Sequence, residues 1–207
     1  MHHAMMIFVA AAGTASALGS PVERVGPFDS LTIEGFDGGG WSFETDPRDI
    51  MGGIAQVAPG DGAGWTHITN RWGLHGAFEA STYSGSGMLG NTTGSIVYTF
   101  DSAFTRFGGY FATIATTPDA TASFFRGGAL VARGALEAPV GAEWTWNGWS
   151  VSGGFTRVEI NPNHNEGRGG FLMHDAVRVD SAPVPSPGAL ALLGLSGMLV
   201  IGRRRVR

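Results

Sequence analysis

The 207-residue chain contains no cysteine and no lysine. Without thiols there are no disulfides, no thiolate metal ligands and no cysteine nucleophile. All 13 basic residues are arginines, and Arg203, Arg204, Arg205 and Arg207 stand at the very end. Ahead of residue 183, nine arginines face 17 carboxylates, a balance of −8. An acidic region with no basic run argues against nucleic acid or an anionic surface as partner. Catalytic and metal motifs are missing too. There is no D-x-D-x-D-G loop and no G-x-S-x-G. His67, His75 and His174 lack the H-x-x-x-H spacing of a metal pair. Between residues 20 and 182 no stretch sustains a period near 3.6, which excludes an amphipathic helical fold.

What is abundant is glycine, 34 residues, together with six tryptophans. Frequent glycine points to many turns and short strands. Ser30–Phe36, Trp41–Phe43, a short run near Ile54–Val57 and Trp65–Thr69 read as strands. From Gly73 to Gly94 the chain is rich in Gly, Ser and Thr and reads as long loops. Ser95–Phe100 puts Ile96, Tyr98 and Phe100 on one face, and Phe107–Ile114 follows after a short turn. Gly127-Gly128 and Asn147-Gly148 are both two-residue hairpin signals. Phe155–Ile160 and Phe171–Val179 are the last strands. About ten short strands predict an all-β domain over residues 18–182, an antiparallel β-sandwich.

Both ends of the chain carry a different signal. Met5–Ala12 is apolar and Ala15-Ser16-Ala17 is a small-residue cleavage site, so residues 1–17 read as a signal peptide. Residues 183–207 have three parts: Val184-Pro185-Ser186-Pro187, an apolar run over Gly188–Gly202, and the arginine end. As a helix the apolar run spans about 22 Å, a marginal length against a bilayer core of about 30 Å. The arginines place its far end on the cytoplasmic side. This tail resembles the PEP-CTERM sorting signal of Gram-negative bacteria. Val184, Pro185 and Pro187 match the usual Val-Pro-Glu-Pro motif, and Ser186 stands where Glu is usual. The resemblance implies a transmembrane helix, passage through the inner membrane, and removal of the tail by an exosortase, a membrane protease. It implies an exported protein that ends at the cell surface or outside the cell, associated with the envelope or with extracellular polysaccharide.

A second resemblance covers Val97–Phe111 and Trp149–Ile160, which look like segments common in PEP-CTERM ectodomains. Such domains are similar to jelly-roll carbohydrate-binding modules. The resemblance implies sugar binding through exposed aromatics and, by the same analogy, a structural calcium. Trp72, in a Gly- and Asn-bordered loop, is the first candidate for stacking on a sugar, and Tyr83 the second. Trp144 and Trp146 share a face by parity and are expected in the core. For calcium the candidates are Glu34 on the first strand and Asp175 on the last, with Asp29 or Asp37 near. Asp175 alternates with Met173 and Val177, so it is expected to face inward, as a metal ligand or as a carboxylate satisfied by backbone amides. The polar segment 161–170, with His164, Glu166 and Arg168, reads as a hairpin loop. The competing reading is a carbohydrate-active enzyme working through Glu159, Glu166 or Asp175, or a domain that keeps its membrane anchor. No catalytic residue is assigned.

Overall fold

A computed structural model describes residues 22–181 apart from 31, 39–41, 64, 74–78, 92–93, 114–119 and 163–171. The signal peptide and sorting tail expected from sequence lie outside the described residues, as do Trp41, His75, His164, Glu166 and Arg168.

The described residues are almost all antiparallel strand. In chain order these are β1 (Glu23–Arg24), β2 (Thr32–Glu34), β3 (Ser42–Glu44), β4 (Arg48–Ile50), β5 (Ala55–Pro59), β6 (Thr66–Thr69) and β7 (Arg71–Gly73). They continue with β8 (Glu79–Ser81), β9 (Met88–Asn91), β10 (Ile96–Thr113), β11 (Thr121–Arg126), β12 (Ala129–Ala135), β13 (Thr145–Asn161) and β14 (Leu172–Asp180). One 3₁₀ turn, Met51–Gly53, is the only helical element among the described residues.

Two long strands organise the rest. The start of β10 pairs with β5 on one side and with the end of β13 on the other. The end of β10 pairs with β14 and with the start of β13. The register breaks twice on the way, between Thr99 and Phe104 and between Phe104 and Arg106. There β13 passes through Gly153 and Gly154, both at positive φ (82° and 76°). Both strands thus change register together and belong to two pairing groups. One group carries β4, β5, β11 and β12. The other carries β1, β14, β2, β9, β6 and β3. β7 and β8 form a separate ladder.

Buried residues of both groups make one core. Ile96, Tyr98 and Phe100 all point into it, as their alternation predicts. Phe107 and Trp149 come from the second of these groups, around the end of β10 and hence the late group, and Phe124 comes from the first, the early group. Their rings meet at 6.2 Å (Phe107–Trp149) and 5.8 Å (Phe124–Trp149), and Phe155 closes on Phe124 at 5.2 Å. Edge and offset contacts of this kind add to plain area burial.

Sequence punctuation is right at one hairpin and wrong at another. Gly127 and Gly128, both at positive φ, make the turn between β11 and β12. Asn147 and Gly148 make no turn: they sit inside β13, opposite Gly109 and Gly108. Asn147 is pinned there by its side chain, which exchanges bonds of 2.8 Å with both the amide and the carbonyl of Glu137. Likewise the expected strands 95–100 and 107–114 are one strand, and the expected loop over 73–94 contains β8 and β9.

Candidate functional site

The late pairing group has a second, outer face, and its residues are aromatic. Along β10 the outward positions include Arg106, Gly108 and Tyr110; along β13 they include Trp146 and Gly148, with Trp144 just before its first residue. A Cβ on Gly108 would lie 2.6 Å from the Trp146 ring, and one on Gly148 would lie 2.7 Å from Trp146 Nε1. Both glycines are therefore a floor on which the Trp146 indole lies flat across two strands. Trp146 Nε1 donates to the Val25 carbonyl at 2.9 Å, which fixes the ring's rotation.

From Trp146 the aromatics run on in contact. Tyr110 meets Trp146 edge-on at 5.3 Å. Tyr83 lies parallel on Tyr110, with ring centroids 3.6 Å apart. Trp144 meets Tyr83 at 6.3 Å, and its Nε1 donates to the Ser81 carbonyl at 2.9 Å. In the other direction Phe28 meets Trp146 at 5.7 Å. Arg178 lies over Trp146 and Arg106 over Phe28, at 5.7 and 4.8 Å from the ring centroids. Arg106 also pairs with Asp180. A hydrogen bond to Tyr83 raises the Tyr110 hydroxyl above its ordinary pKa. Tyr83 is 42% exposed, while Trp144, Trp146 and Tyr110 are half-buried.

Beyond Trp144 the same face continues over a small buried cluster of Met88, Ala112 and Met173, against which Trp65 and Trp144 pack. It ends at Phe43, 57% exposed, which stacks on His67 at 4.5 Å and meets Trp65 at 4.7 Å. Burial lowers the His67 pKa to about 4.

Tyr83 is thus where an exposed ring was expected. Trp72 is not in a loop: it lies in β7, paired with Ala80 of β8. Its side chain is outside the described part. Trp144 and Trp146 do share one face, but that face is the outer one; Trp149 is fully buried. Tyr110, Phe28 and Arg178 had no place among the sequence candidates. The available signal was Gly108 and Gly148, small residues on the outward positions of two strands beside a tryptophan.

Glu34 and Asp175 come to neighbouring strands, since Glu34 pairs with Val177. Their oxygens, however, accept backbone amides. Glu34 Oε1 takes Phe36 N and Oε2 takes Met51 N, both at 2.7 Å. Asp175 Oδ2 takes Tyr83 N at 2.7 Å and Ser84 N at 3.0 Å, and Oδ1 takes Ala176 N at 2.6 Å. Amide donors converge on these carboxylates, so the pair does not present the convergent oxygen set that calcium takes. Among the described residues no group of three or more His, Asp or Glu could hold a metal ion.

Asp175 is buried, but not on the side that strict alternation implies. Between Gly108 and Tyr110 of β10 the register with β14 slips by one residue at Ala176, which has φ 47°. Such a bulge re-aims side chains. Met173 and Asp175 consequently face the outer side and Val177 faces the core. Burial raises the Asp175 pKa to about 6, against the three amide bonds that lower it.

Next to it, Tyr98 Oη and His174 Nδ1 are 2.8 Å apart in the core. Burial, with the Glu34 and Asp175 charges behind it, raises the Tyr98 pKa well above its ordinary value, and burial lowers His174 to about 3. Both groups are therefore neutral, and they share a hydrogen bond whose direction the His174 tautomer sets. Glu159, a candidate acid in the enzyme reading, is paired with Arg157 at 2.9 Å. Away from the aromatics, a cleft of about 240 Å³ is lined by Asp49, Gln56, Thr99 and Asp101, with Gln56 donating to Asp49 at 2.9 Å.

No family model and no curated protein matches the chain. Among solved structures it is similar to the enzymatically active domain of tailspike protein 4 of bacteriophage CBA120, at 18% identity. The alignment covers 67% of this chain and 19% of that one, with a TM-score of 0.36. An overlap at that score does not define a shared fold.

Proposed function

We propose that the protein is exported, sorted to the cell surface through its tail, and binds carbohydrate without cleaving it, in the cell envelope or in extracellular polysaccharide. One observation carries the binding part: the connected outer strip Trp144–Tyr83–Tyr110–Trp146. A sugar ring lies on exposed aromatic rings through apolar area and CH–π contact. Here the rings are fixed before a ligand arrives, which lowers the ordering cost of binding. Both indole N–H groups are already spent on backbone carbonyls. In this reading the two pairing groups form a jelly-roll-like sandwich and the strip lies on its outer face. The sorting part is motivated by Val184–Pro187, the apolar run and the four terminal arginines. It makes an exosortase-type protease the processing partner.

A pulldown with purified exopolysaccharide from the producing cell tests the binding reading. Retention without release of reducing sugar is the expected result. Release of reducing ends would move the protein among carbohydrate-active enzymes; no retention at millimolar sugar would leave a purely structural envelope role. Sorting is tested separately by the intact mass of the exported protein. Its C-terminus is expected near Val184–Pro187, and a mature species that still ends in Arg207 would contradict the sorting signal.

A further inference from the structure

Tyr83 stands on the segment 82–87, Thr-Tyr-Ser-Gly-Ser-Gly, between β8 and β9. Nothing in that composition holds a ring in one place. The segment is held from beneath by two carboxylates instead. Asp175 accepts the amides of Tyr83 and Ser84. Asp37 accepts the amide and the hydroxyl of Ser86. Gly85 fits over Asp37 only because it lacks a Cβ, which would lie 2.1 Å from Oδ1. Asp175 reaches the segment because the Ala176 bulge turns it to the outer face, directly opposite Tyr110 in β10. The residue that receives the Tyr83 ring and the residue that holds the Tyr83 backbone are thus a cross-strand pair.

We propose that Asp175 is the positioning residue of the aromatic strip: by gripping the Tyr83 and Ser84 amides it sets the Tyr83 ring on Tyr110 and completes the binding face. The inference rests on the carbohydrate-binding reading above for its functional consequence, but not for its geometry. A buried carboxylate needs donors of its own. Here those donors come mainly from the segment it organises, so the carboxylate and the segment order each other.

The test uses the full chain with Asp175→Asn, Tyr83→Ala and the double variant. Two readouts are taken: nuclear Overhauser contacts between the Tyr83 and Tyr110 rings, and affinity for the producer's purified exopolysaccharide. Asp175→Asn is expected to abolish the ring contacts while the dispersed strand signals remain. Tyr83→Ala is expected to weaken binding roughly ten-fold, the worth of one aromatic contact. Asp175→Asn should match that loss, and the double variant should lose no more than either single one. Ring contacts that survive Asp175→Asn, or losses that multiply in the double variant, overturn the proposal. If Asp175→Asn fails to fold, amide exchange in the unaltered chain decides: Tyr83 and Ser84 protected as strongly as β14 support the grip, and unprotected amides refute it. If the unaltered protein binds no polysaccharide, the carbohydrate reading falls, and the ring contacts still decide the role of Asp175.

Discussion

Two sets of aromatic rings lie on opposite sides of β10 and β13, and they are built differently. The inner set, Phe107, Phe124, Trp149 and Phe155, is wholly buried. Trp149 Nε1 has no hydrogen-bond partner among the described residues, and the ring packs against Phe107, Phe111 and Phe124. In the outer set both tryptophan N–H groups have carbonyl acceptors, and the rings rest on glycines or on one another. Packing orients the inner rings, with the Gly134 backbone close against Trp149 and Arg24 over its ring. The outer rings have solvent on one side, so hydrogen bonds and close backbone approach must supply the orientation that packing does not. Rings fixed in this way and left half-exposed suit recognition rather than stability.

The contrast predicts a graded series of substitutions. The largest effect belongs inside. Trp149→Ala, Phe107→Ala or Phe100→Ala should each lower unfolding free energy by about 3–5 kcal/mol, read from urea midpoints. Gly148→Ala comes next. Its Cβ would meet the Val25 carbonyl as well as Trp146, both at 2.7 Å. A loss of about 1–3 kcal/mol is expected for such overpacking, together with release of Trp146 Nε1, visible as faster indole N–H exchange. Tyr83→Ala should shift stability by about 1 kcal/mol at most, as expected for a contact at an exposed site, and show its effect in binding.

Acid should act on the inner face through His174. Its folded pKa is depressed to about 3, so the folded protein resists a proton that the unfolded chain accepts near 6.5. The stabilising contribution is complete above about 6.5 and is lost progressively as pH falls toward 3. His67, depressed to about 4, acts in the same direction. Asp175 opposes them: with a folded value raised to about 6, its contribution is greatest below about 4 and is lost as pH rises to 6. Two histidines against one aspartate predict a net fall in melting temperature from pH 7 to pH 5. Imidazole shifts of His174 should stay those of the neutral ring down to pH 4.

Much of the fold was legible because the rule behind it is local. Ile96, Tyr98 and Phe100 alternate, and the alternation holds in the ladder. Gly127-Gly128 is a turn because both residues must take positive φ. Asn147-Gly148 carries a turn signal equally strong, but Asn147 finds its partners in Glu137 and Gly148 makes room for Trp146; both reasons are tertiary. Asp175 shows the same limit. Parity placed it with Val177, and a single bulge residue, Ala176, moved it to the other face. Trp144 and Trp146 were rightly read as sharing a side. Which side is set by β10 and β14, a long-range fact that composition does not encode. For the site, Tyr83 was legible as an exposed aromatic, whereas its stacking partner Tyr110 lay hidden in a strand that reads as core.

The contrast assigns binding to the outer rings and stability to the inner ones. Isothermal titration of the producer's exopolysaccharide into the unaltered protein and Tyr83→Ala, with melting temperatures of both, tests it most directly. An affinity roughly ten-fold weaker is expected for Tyr83→Ala, with little dependence on salt and melting temperatures within a few degrees of each other. Unchanged affinity, or a loss that merely follows a collapse in melting temperature, would contradict it.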